Sequence, residues 1–279
     1  MPTDGIHPTA IVDSRAQIAP GVSVGAYSVV GPEVVLGAGC QVGHHVVLEG
    51  TVSVGERSRI GHGSLIGAAP QDLKFREGTP SGVRIGADTV IRELVTIHRS
   101  TREHGWTEIG HHCLVMSSSH IAHDCRIGNH VIIINYAGLT GHVEVDDGAT
   151  VGGLTGIHPF TRIGAYAYIG GCSKVVRDVP PAIMADGVPA TARAVNVVGL
   201  RRAGVDAESR RQLQVAFRIM YRSGETPRRA VQRIRAELPL SPLVTRFVEF
   251  VEASRRGIVG PSRPAAEIEL AEAEEEPIV

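Results

Sequence analysis

Residues 109–133 read IGHHCLVMSSSHIAHDCRIGNHVII, and an aliphatic residue recurs in this stretch at every sixth position. The same spacing continues to Val175, and it also runs from Val12 to Ile66. An α-helix needs apolar residues three and four positions apart, so a period of six does not fit one. A short strand followed by a glycine- or asparagine-rich corner does fit it, and three such hexapeptides make one coil. The sequence therefore predicts a parallel β-helix of hexapeptide repeats.

Small residues take a fixed place in such a coil. Each aliphatic at the sixth position points inward, and a small residue four positions later packs near the corner. Cys40, Cys113 and Cys125 occupy that place, and no two cysteines have the C-x-x-C spacing. We therefore expect small buried thiols rather than metal ligands or disulfides, and a reducing, cytoplasmic location.

The composition argues against several classes of protein. The chain of 279 residues has a formal net charge of −1, so it lacks the basic surface that nucleic-acid binding needs. Its 33 glycines and 4% aromatic content suit many tight corners around an aliphatic core. Nothing approaches the roughly 18 apolar residues of a membrane span, and no apolar signal segment follows Met1. We expect neither membrane insertion nor secretion.

Two interruptions and a change of pattern divide the chain. The repeats predict a β-helix domain over residues 1–190, with external loops near 68–84 and 98–108, where the period of six fails. Residues 191–258 show apolar spacings of three and four, which predict a helical domain that caps the β-helix. The remaining residues, 259–279, are rich in proline, alanine and glutamate, and this composition predicts an acidic disordered tail.

Residues three hexapeptides apart should lie directly above one another, at the strand spacing of about 4.8 Å. This rule aligns His123 with Gly141 and Pro159 in one column, and Asp124 with His142 in the next. If the second loop adds one further hexapeptide, another histidine joins from the coil below. Five histidines are then predicted to gather on neighbouring coils: His98, His120, His123, His142 and His158.

Three kinds of role fit this cluster. Imidazole, with an ordinary pKa of about 6.5, is suited to act as a general base, and His123 is our candidate. Asp124 could orient its ring only if a corner falls there, because adjacent side chains on an extended strand point to opposite faces. Histidines from adjacent coils could instead bind Zn²⁺, or the cluster could be a satisfied surface feature of a scaffold.

Several short motifs are more specific than the repeat itself. They are residues 71–74 (QDLK), 95–99 (VTIHR), 120–125 (HIAHDC), 141–143 (GHV), 170–173 (GGCS) and 221–224 (YRSG). With these motifs, the chain from residue 7 to about 258 resembles the acyl-carrier-protein:UDP-N-acetylglucosamine O-acyltransferases, the family that begins lipid A synthesis. The resemblance implies a left-handed parallel β-helix, which departs from the usual right-handed crossover. It also implies a homotrimer with active sites between subunits.

The resemblance assigns a chemical role to part of the cluster. His123 would be the base that deprotonates the sugar 3-hydroxyl, and from the residues themselves we name Asp124 as its candidate helper. The sugar oxygen would attack the thioester of a (R)-3-hydroxyacyl chain on acyl carrier protein, while the Gly141 N–H donates to the oxyanion. The donor carries 4′-phosphopantetheine, and we expect no metal and no other cofactor. The expected partners are acyl carrier protein, UDP-N-acetylglucosamine and further copies of this chain.

Other matching positions concern substrate binding. Those that match the substrate cleft of the family are Asp72, Lys74, His98, His120, His142 and His158. Asn196 and Arg202 match contacts to the nucleotide, where a guanidinium group suits phosphate. Gly171 matches the position that sets acyl length, and its lack of a side chain predicts room for a longer chain.

Three places depart from the family pattern. Pro159 stands where glutamine is common, Val198 stands where a glutamate contacts the sugar, and residues 117–119 are serines instead of bulkier residues. The changes at Pro159 and Val198 leave a second hypothesis open. In it, the chain is a related acyltransferase that acts on another acceptor, such as a 3-amino sugar nucleotide, or uses acyl-CoA. The base and the oxyanion donor are unchanged.

Overall fold

A stack of short strands forms most of the fold. A computed structural model describes residues 5–262. From β1 to β25, successive strands wind around three faces, so that every third strand lies in the same sheet and pairs in parallel with the strand of the next coil. The hexapeptide period is therefore the length of one strand with its corner, as predicted.

The strands of the described residues fall into three sheets. Face 1 contains β1 (Ile11–Val12), β4 (Val29–Val30), β7 (Val47–Leu48), β10 (Leu65–Ala68), β13 (Thr96–His98), β16 (His120–Ile121), β19 (Gly138–Leu139), β22 (Gly156–Ile157) and β25 (Lys174–Val175). Face 2 contains β2 (Gln17–Ile18), β5 (Val34–Leu36), β8 (Thr51–Val54), β11 (Gly82–Ile85), β14 (Trp106–Ile109), β17 (Arg126–Ile127), β20 (Glu144–Val145) and β23 (Arg162–Ile163). Face 3 contains β3 (Ser23–Val24), β6 (Gln41–Val42), β9 (Arg59–Ile60), β12 (Val90–Ile91), β15 (Leu114–Val115), β18 (Ile132–Ile133), β21 (Thr150–Val151), β24 (Tyr168–Ile169), β26 (Ile183–Gly187) and β27 (Ala190–Val195).

The core is built from columns of inward aliphatic side chains. Ile121 on β16 pairs with Ile97 on one side and with Leu139 on the other, and all three side chains are completely buried. Burying a side chain of this size contributes roughly 1.5–3 kcal/mol each, relative to leaving it exposed. Because every coil repeats the contact, the core runs along the whole axis of the β-helix and fixes the register of each new coil.

The cysteines at the corners behave as small apolar residues. Cys40, Cys113 and Cys125 are buried, as the repeat predicted, and burial raises the pKa of each thiol. Each of the three thiols also donates a hydrogen bond to a backbone carbonyl of the next coil. Cys172 lies at a different place in its hexapeptide, and it is exposed at a corner with a positive φ of 57°.

The first insertion, residues 69–81, leaves the stack without disturbing the register. Ile66 on β10 pairs with Ile97 on β13, although the chain between them is much longer than a regular coil. The extra residues contain no strand, and they form an external loop that connects β10 to β11.

The second insertion, residues 99–105, lengthens its coil by one hexapeptide. Ile85 on β11 pairs with Ile109 on β14, which lies four hexapeptides further along the chain instead of three. The pairing of β13 with β16 then places His98 level with Ala122, beside His123. The position predicted for His98 under an insertion of this length is therefore confirmed.

The outward side chains of face 2 alternate in charge from coil to coil. The column is Arg84, Glu108, Arg126, Glu144 and Arg162. Arg84 lies 3.0 Å from Glu108, which lies 3.9 Å from Arg126. Further along, Arg162 lies 3.4 Å from Glu144. Each exposed pair is worth little by itself, but from β11 to β23 the column gives each strand of face 2 neighbours of opposite sign.

Four helices follow the β-helix within the described residues: α1 (Val197–Arg202), α2 (Ala207–Arg222), α3 (Pro227–Glu237) and α4 (Pro242–Ala253). They begin after the hairpin of β26 and β27, a few residues beyond the boundary predicted at residue 190. Leu213, Ile234 and Phe247 pack in the centre of the helical region and are completely buried. No helix among residues 5–262 has the length and apolar character needed to cross a membrane.

The start of the predicted tail belongs to the fold. Residues 259–262 form backbone hydrogen bonds with Asp178 and Ala192, so the expectation of disorder from residue 259 is wrong for these four residues. The backbone pairing holds the segment against the last coils. The acidic part predicted for the tail, residues 263–279, lies outside the described residues.

We predict that Ile133→Ala lowers the free energy of unfolding by about 2–5 kcal/mol, because it leaves a cavity in the axial core. Ile133 is completely buried on β18. The matched control is Ile132→Ala on the same strand, whose side chain is 36% exposed and points outward. Urea unfolding should show a loss within about 1 kcal/mol for the control. Equal losses in the two variants would contradict the inward and outward alternation.

Candidate active site

The corner between β16 and β17 brings two neighbouring side chains together. Asp124 adopts a positive φ of 61°, which is the left-handed conformation. This turn allows the Nδ1 atom of His123 to lie 2.9 Å from the Oδ2 atom of Asp124, although the residues are adjacent in sequence. The condition set by the sequence, that a corner must fall here, is therefore met.

The Asp124 side chain is completely buried and densely hydrogen-bonded. It accepts hydrogen bonds from the Ser100 hydroxyl, from the Thr101 N–H at 3.1 Å and hydroxyl at 2.6 Å, and from the Arg102 Nε–H at 3.0 Å. Burial alone would raise its pKa, but the hydrogen bonds from His123, Ser100 and Thr101 outweigh burial, and the pKa lies well below the usual range. Asp124 is therefore an ionised carboxylate near neutral pH.

The charge of Asp124 decides the tautomer of His123. An ionised carboxylate can only accept, so the hydrogen atom of the pair sits on Nδ1 of the imidazole. The Nε2 atom is left with a free lone pair, as a general base requires. A Cβ atom added to Gly141 would lie only 2.7 Å from this Nε2 atom, so glycine is needed for the ring to occupy its place.

The N–H group of Gly141 is open because of the residue above it. At other corners, the equivalent N–H donates to a side chain one coil further on: Ala26 to His44, His44 to His62, Ala87 to His111, His111 to Asn129 and Asn129 to Asp147. The residue one coil beyond Gly141 is Pro159, whose ring offers no acceptor. The Gly141 N–H makes no hydrogen bond within residues 5–262.

The other half of the corner is aromatic. His142 stacks on Phe160 with a ring-centroid distance of 4.4 Å and meets His123 edge-on at 5.2 Å. Its Nε2 atom lies 3.8 Å from Asp124. Burial lowers the pKa of His142, although the charge of Asp124 opposes this effect. Near pH 7, His142 is therefore an uncharged aromatic ring beside the His123–Asp124 pair.

Two further histidines lie on face 1 next to the base. Only 5% of the surface of His98 is exposed, and its ring meets His120 edge-on at 4.9 Å. His120 Nδ1 pairs with the Thr96 hydroxyl at 2.7 Å. Burial, followed by the charges of His120 and His123, lowers the pKa of His98 to about 4. Burial and then His123 also lower the pKa of His120.

The remaining predicted residues lie around this centre at different distances. His158 lies in the coil beyond Gly141, where its Nδ1 atom is 3.0 Å from Arg256 Nη2. Asp72 and Lys74 lie in the first insertion, where Asp72 accepts from the Lys74 N–H at 2.8 Å. Neither of these two residues forms a hydrogen bond with the histidines in the described chain.

Three predicted residues lie outside the corner. Gly171 is at a corner between faces 3 and 1, and the nearest atom to an added Cβ would be Gly153 O at 3.3 Å. Asn196 caps α1 by accepting from the Gly199 N–H at 2.9 Å. Arg202 lies in the last turn of α1. Within residues 5–262, no hydrogen bond or ion pair connects Asn196 or Arg202 to the histidine cluster.

Sequence reasoning missed the groups that hold Asp124 and His158. Ser100, Thr101 and Arg102 lie in the second insertion, which has no place in the period of six. Arg256 comes from the segment after α4, 98 residues from its partner. The only available signal was the polar run directly after a cleft histidine, at the point where the repeat fails.

The arrangement also bears on the metal hypothesis. Ligand atoms of His123, Asp124 and His142 lie within 4.8 Å of one another, so the corner offers two imidazoles and one carboxylate. Both oxygens of the carboxylate already accept hydrogen bonds from protein donors. The geometry therefore favours a hydrogen-bonded pair of base and carboxylate over a metal centre.

A parallel β-helix with a carboxylate-held histidine facing an open N–H defines the chain as an acyltransferase of the hexapeptide-repeat class. The model of the bacterial transferase hexapeptide repeat matches residues 33–68 and 107–141. A second family model, UDP-N-acetylglucosamine O-acyltransferase domain 2, matches residues 178–259.

Curated and solved relatives narrow this class. The acyl-[acyl-carrier-protein]–UDP-N-acetylglucosamine O-acyltransferase of Burkholderia orbicola is 45% identical over 263 residues, covering 91% of this chain and 98% of the relative. The LpxA structure from Acinetobacter baumannii is 39% identical, with a TM-score of 0.87, and the match covers 91% of this chain and 99% of that one. The UDP-N-acetylglucosamine acyltransferase structure from Francisella novicida is 33% identical, with a TM-score of 0.88 and coverage of 98% and 100%.

The chain belongs to the UDP-N-acetylglucosamine O-acyltransferase family. A β-helix of the opposite hand would not superpose on these structures, so the left-handed fold expected from the resemblance is confirmed.

We predict that the pKa of His98 makes stability sensitive to acid. The folded pKa of about 4 lies below the unfolded value of about 6.5. The contribution of neutral His98 to the free energy of unfolding is therefore fully present above pH 6.5 and is lost as the pH falls towards 4. Urea midpoints of wild type and His98→Gln should therefore diverge at pH 7 and converge towards pH 4. Parallel curves for the two proteins would contradict the assignment.

We predict that Gly141→Ala reduces turnover at least about tenfold, because its Cβ would displace the His123 ring from Asp124. The matched control is Gly260→Ala, since an added Cβ there meets no atom within 4 Å. Steady-state kinetics and thermal melting of both variants provide the check. Full turnover in Gly141→Ala would contradict the close approach of the ring.

Proposed function

We propose that the protein transfers a (R)-3-hydroxyacyl chain from acyl carrier protein to the 3-hydroxyl of UDP-N-acetylglucosamine, the first step of lipid A synthesis. The observation that carries this proposal is that the His123 ring, held by Asp124, packs against Gly141, whose N–H makes no hydrogen bond within residues 5–262. The donor and acceptor named for its relatives support the choice of substrates. They do not favour a 3-amino acceptor or an acyl-CoA donor.

The chemistry follows from the positions of three groups. Nε2 of His123 takes the proton of the sugar hydroxyl while the sugar oxygen attacks the thioester carbonyl. The Gly141 N–H donates to the oxyanion of the tetrahedral intermediate, a contribution of about 3 kcal/mol for one such donor. As the intermediate collapses, the carbon–sulfur bond breaks and the imidazolium returns its proton to the leaving thiolate. Asp124 stabilises the imidazolium between the two steps.

The cleft around the base suits a sugar. At neutral pH the lowered pKa values leave His98, His120 and His142 uncharged, so these rings can exchange hydrogen bonds with hydroxyl groups without repelling His123 once it is protonated. His158, Asp72 and Lys74 would extend the binding surface on either side. Pro159 cannot replace the amide of a glutamine, but its ring leaves the oxyanion donor free.

The positions of two predicted nucleotide-binding residues are compatible with an assembly of several chains. The resemblance assigns Asn196 and Arg202 to the nucleotide, yet within residues 5–262 neither forms a hydrogen bond or ion pair with the histidine cluster. A homotrimer with sites between subunits would let one chain hold the nucleotide and another supply the base. The protein would act in the cytoplasm, where its donor is made.

The acyl chain would extend from the base towards Gly171. Between the two corners, the outward positions of face 1 include Gly138 and Gly156, where an added Cβ would meet no atom within 4 Å. This open surface, and the absence of a side chain at Gly171, support a long acyl chain. The 4′-phosphopantetheine of the donor is the only organic cofactor that the reaction requires, and we propose that no metal takes part.

We predict that His123→Ala lowers turnover by at least about 10³-fold, because no other group replaces the base. The assay uses UDP-N-acetylglucosamine with 3-hydroxyacyl carrier proteins of several chain lengths, and acetyl-CoA as an alternative donor. The matched control is His112→Ala, an exposed histidine that stacks on His130 at another corner. Both variants should melt near the wild-type temperature.

Several outcomes of this assay would contradict the proposal. Retained turnover in His123→Ala would remove the base from the mechanism. Faster transfer from acetyl-CoA than from carrier protein would favour another donor. Loss of wild-type activity on treatment with a chelator, restored by a divalent metal, would favour a metal enzyme. Light scattering that gives a mass other than three chains would contradict the homotrimer.

A further inference from the structure

The second insertion lies directly beneath the catalytic corner. The pairing of β13 with β16, four hexapeptides apart, places Ser100 in the coil next to Asp124. A regular hexapeptide corner has no spare residues with which to surround a carboxylate. The added hexapeptide supplies them, and the loop folds back over the side chain of Asp124.

The contacts form a closed network around the carboxylate. Asp124 Oδ1 accepts from the Ser100 hydroxyl and from Arg102 Nε–H, while Oδ2 accepts from the Thr101 N–H, the Thr101 hydroxyl and His123. The Ser100 oxygen also accepts from the Arg102 N–H at 3.0 Å. On the other side, the Asp124 N–H donates to the Thr107 hydroxyl at 2.8 Å.

We propose that residues 100–102 form a carboxylate cradle, in which Thr101 and Arg102 are positioning residues for the acyl transfer. The proposal rests on the proposed function of His123. With both oxygens bound, the carboxylate cannot rotate away from the imidazole, so the Nδ1–H tautomer is maintained through the catalytic cycle. Arg102 has a second effect, since its positive charge partly cancels the field of Asp124 at the ring.

The cradle predicts separate consequences for Thr101 and for Arg102. Loss of the Thr101 hydroxyl weakens the hold on Oδ2, the oxygen that faces His123. Loss of the Arg102 charge leaves the negative charge of Asp124 less compensated at the imidazole and should move the acidic limb of the pH–rate profile to higher pH. The charged and titratable groups that also lie around this corner and its cavity are His98, His120, His142, Arg99, Asp72, Arg126, Glu144, Arg162, Asp178, Arg255 and Arg256.

The test compares Thr101→Val with Thr101→Ser. Valine keeps the shape of threonine without the hydroxyl, so kcat should fall by about tenfold or more with KM within twofold. Serine retains the hydroxyl and should keep most of the activity. The control is Thr89→Val, which removes a buried hydroxyl that bonds Gly110 O at 2.9 Å at another corner. It should lose stability without a comparable loss of kcat.

A second measurement follows the tautomer directly. Nitrogen-15 NMR of His123 should show protonated Nδ1 in wild type and Thr101→Ser, and a mixture of tautomers in Thr101→Val. If wild type does not turn over the proposed substrates, the proposed function fails, but the NMR comparison still tests the cradle. The cradle proposal would be overturned if Thr101→Val had the kcat of wild type and kept the Nδ1-protonated tautomer of His123. An acidic limb that Arg102→Met leaves in place or moves to lower pH would also overturn it.

Discussion

The stacking of each inward aliphatic side chain on its neighbour in the next coil constrains everything else in this protein. Ile121 between Ile97 and Leu139 is one example, and the contact repeats along the axis. Because the contact must be kept, additional residues can leave the stack only as external loops, and both insertions do so without changing the pairing. The same constraint sets His123 against Gly141, since a coil that cannot slip cannot change which residues meet at its corners.

The period of the sequence was sufficient to predict the columns. His123, Gly141 and Pro159 follow one another at intervals of three hexapeptides, and the corner places them accordingly. What periodicity predicts is the direction of a side chain, and this applies wherever the period is kept.

The surroundings of Asp124 could not be predicted in this way. Its partners come from a segment in which the period fails, and the path of such a loop depends on hydrogen bonds rather than on apolar spacing. Burying an ionised carboxylate is unfavourable unless donors surround it, and the protein meets this need with Ser100, Thr101 and Arg102. The contact between Arg256 and His158 joins parts of the chain that are 98 residues apart, and apolar spacing gives no signal for such a contact either. The residues that hydrogen-bond to Asp124 and His158 were thus harder to predict from the sequence than the histidines and the carboxylate of the site.

The alternating charges of face 2 have a consequence for how the protein reaches its fold. The aliphatic column fixes the register of residues within a finished coil, but during folding it distinguishes poorly between one coil and the next, because the inward side chains are similar. A slip by one coil would set Arg126 against another arginine of the column and Glu144 against another glutamate, at a cost of about 0.2–1 kcal/mol for each mismatch. The alternating charges therefore disfavour the pairing of a coil with the next coil but one, while they add little to the stability of the finished molecule.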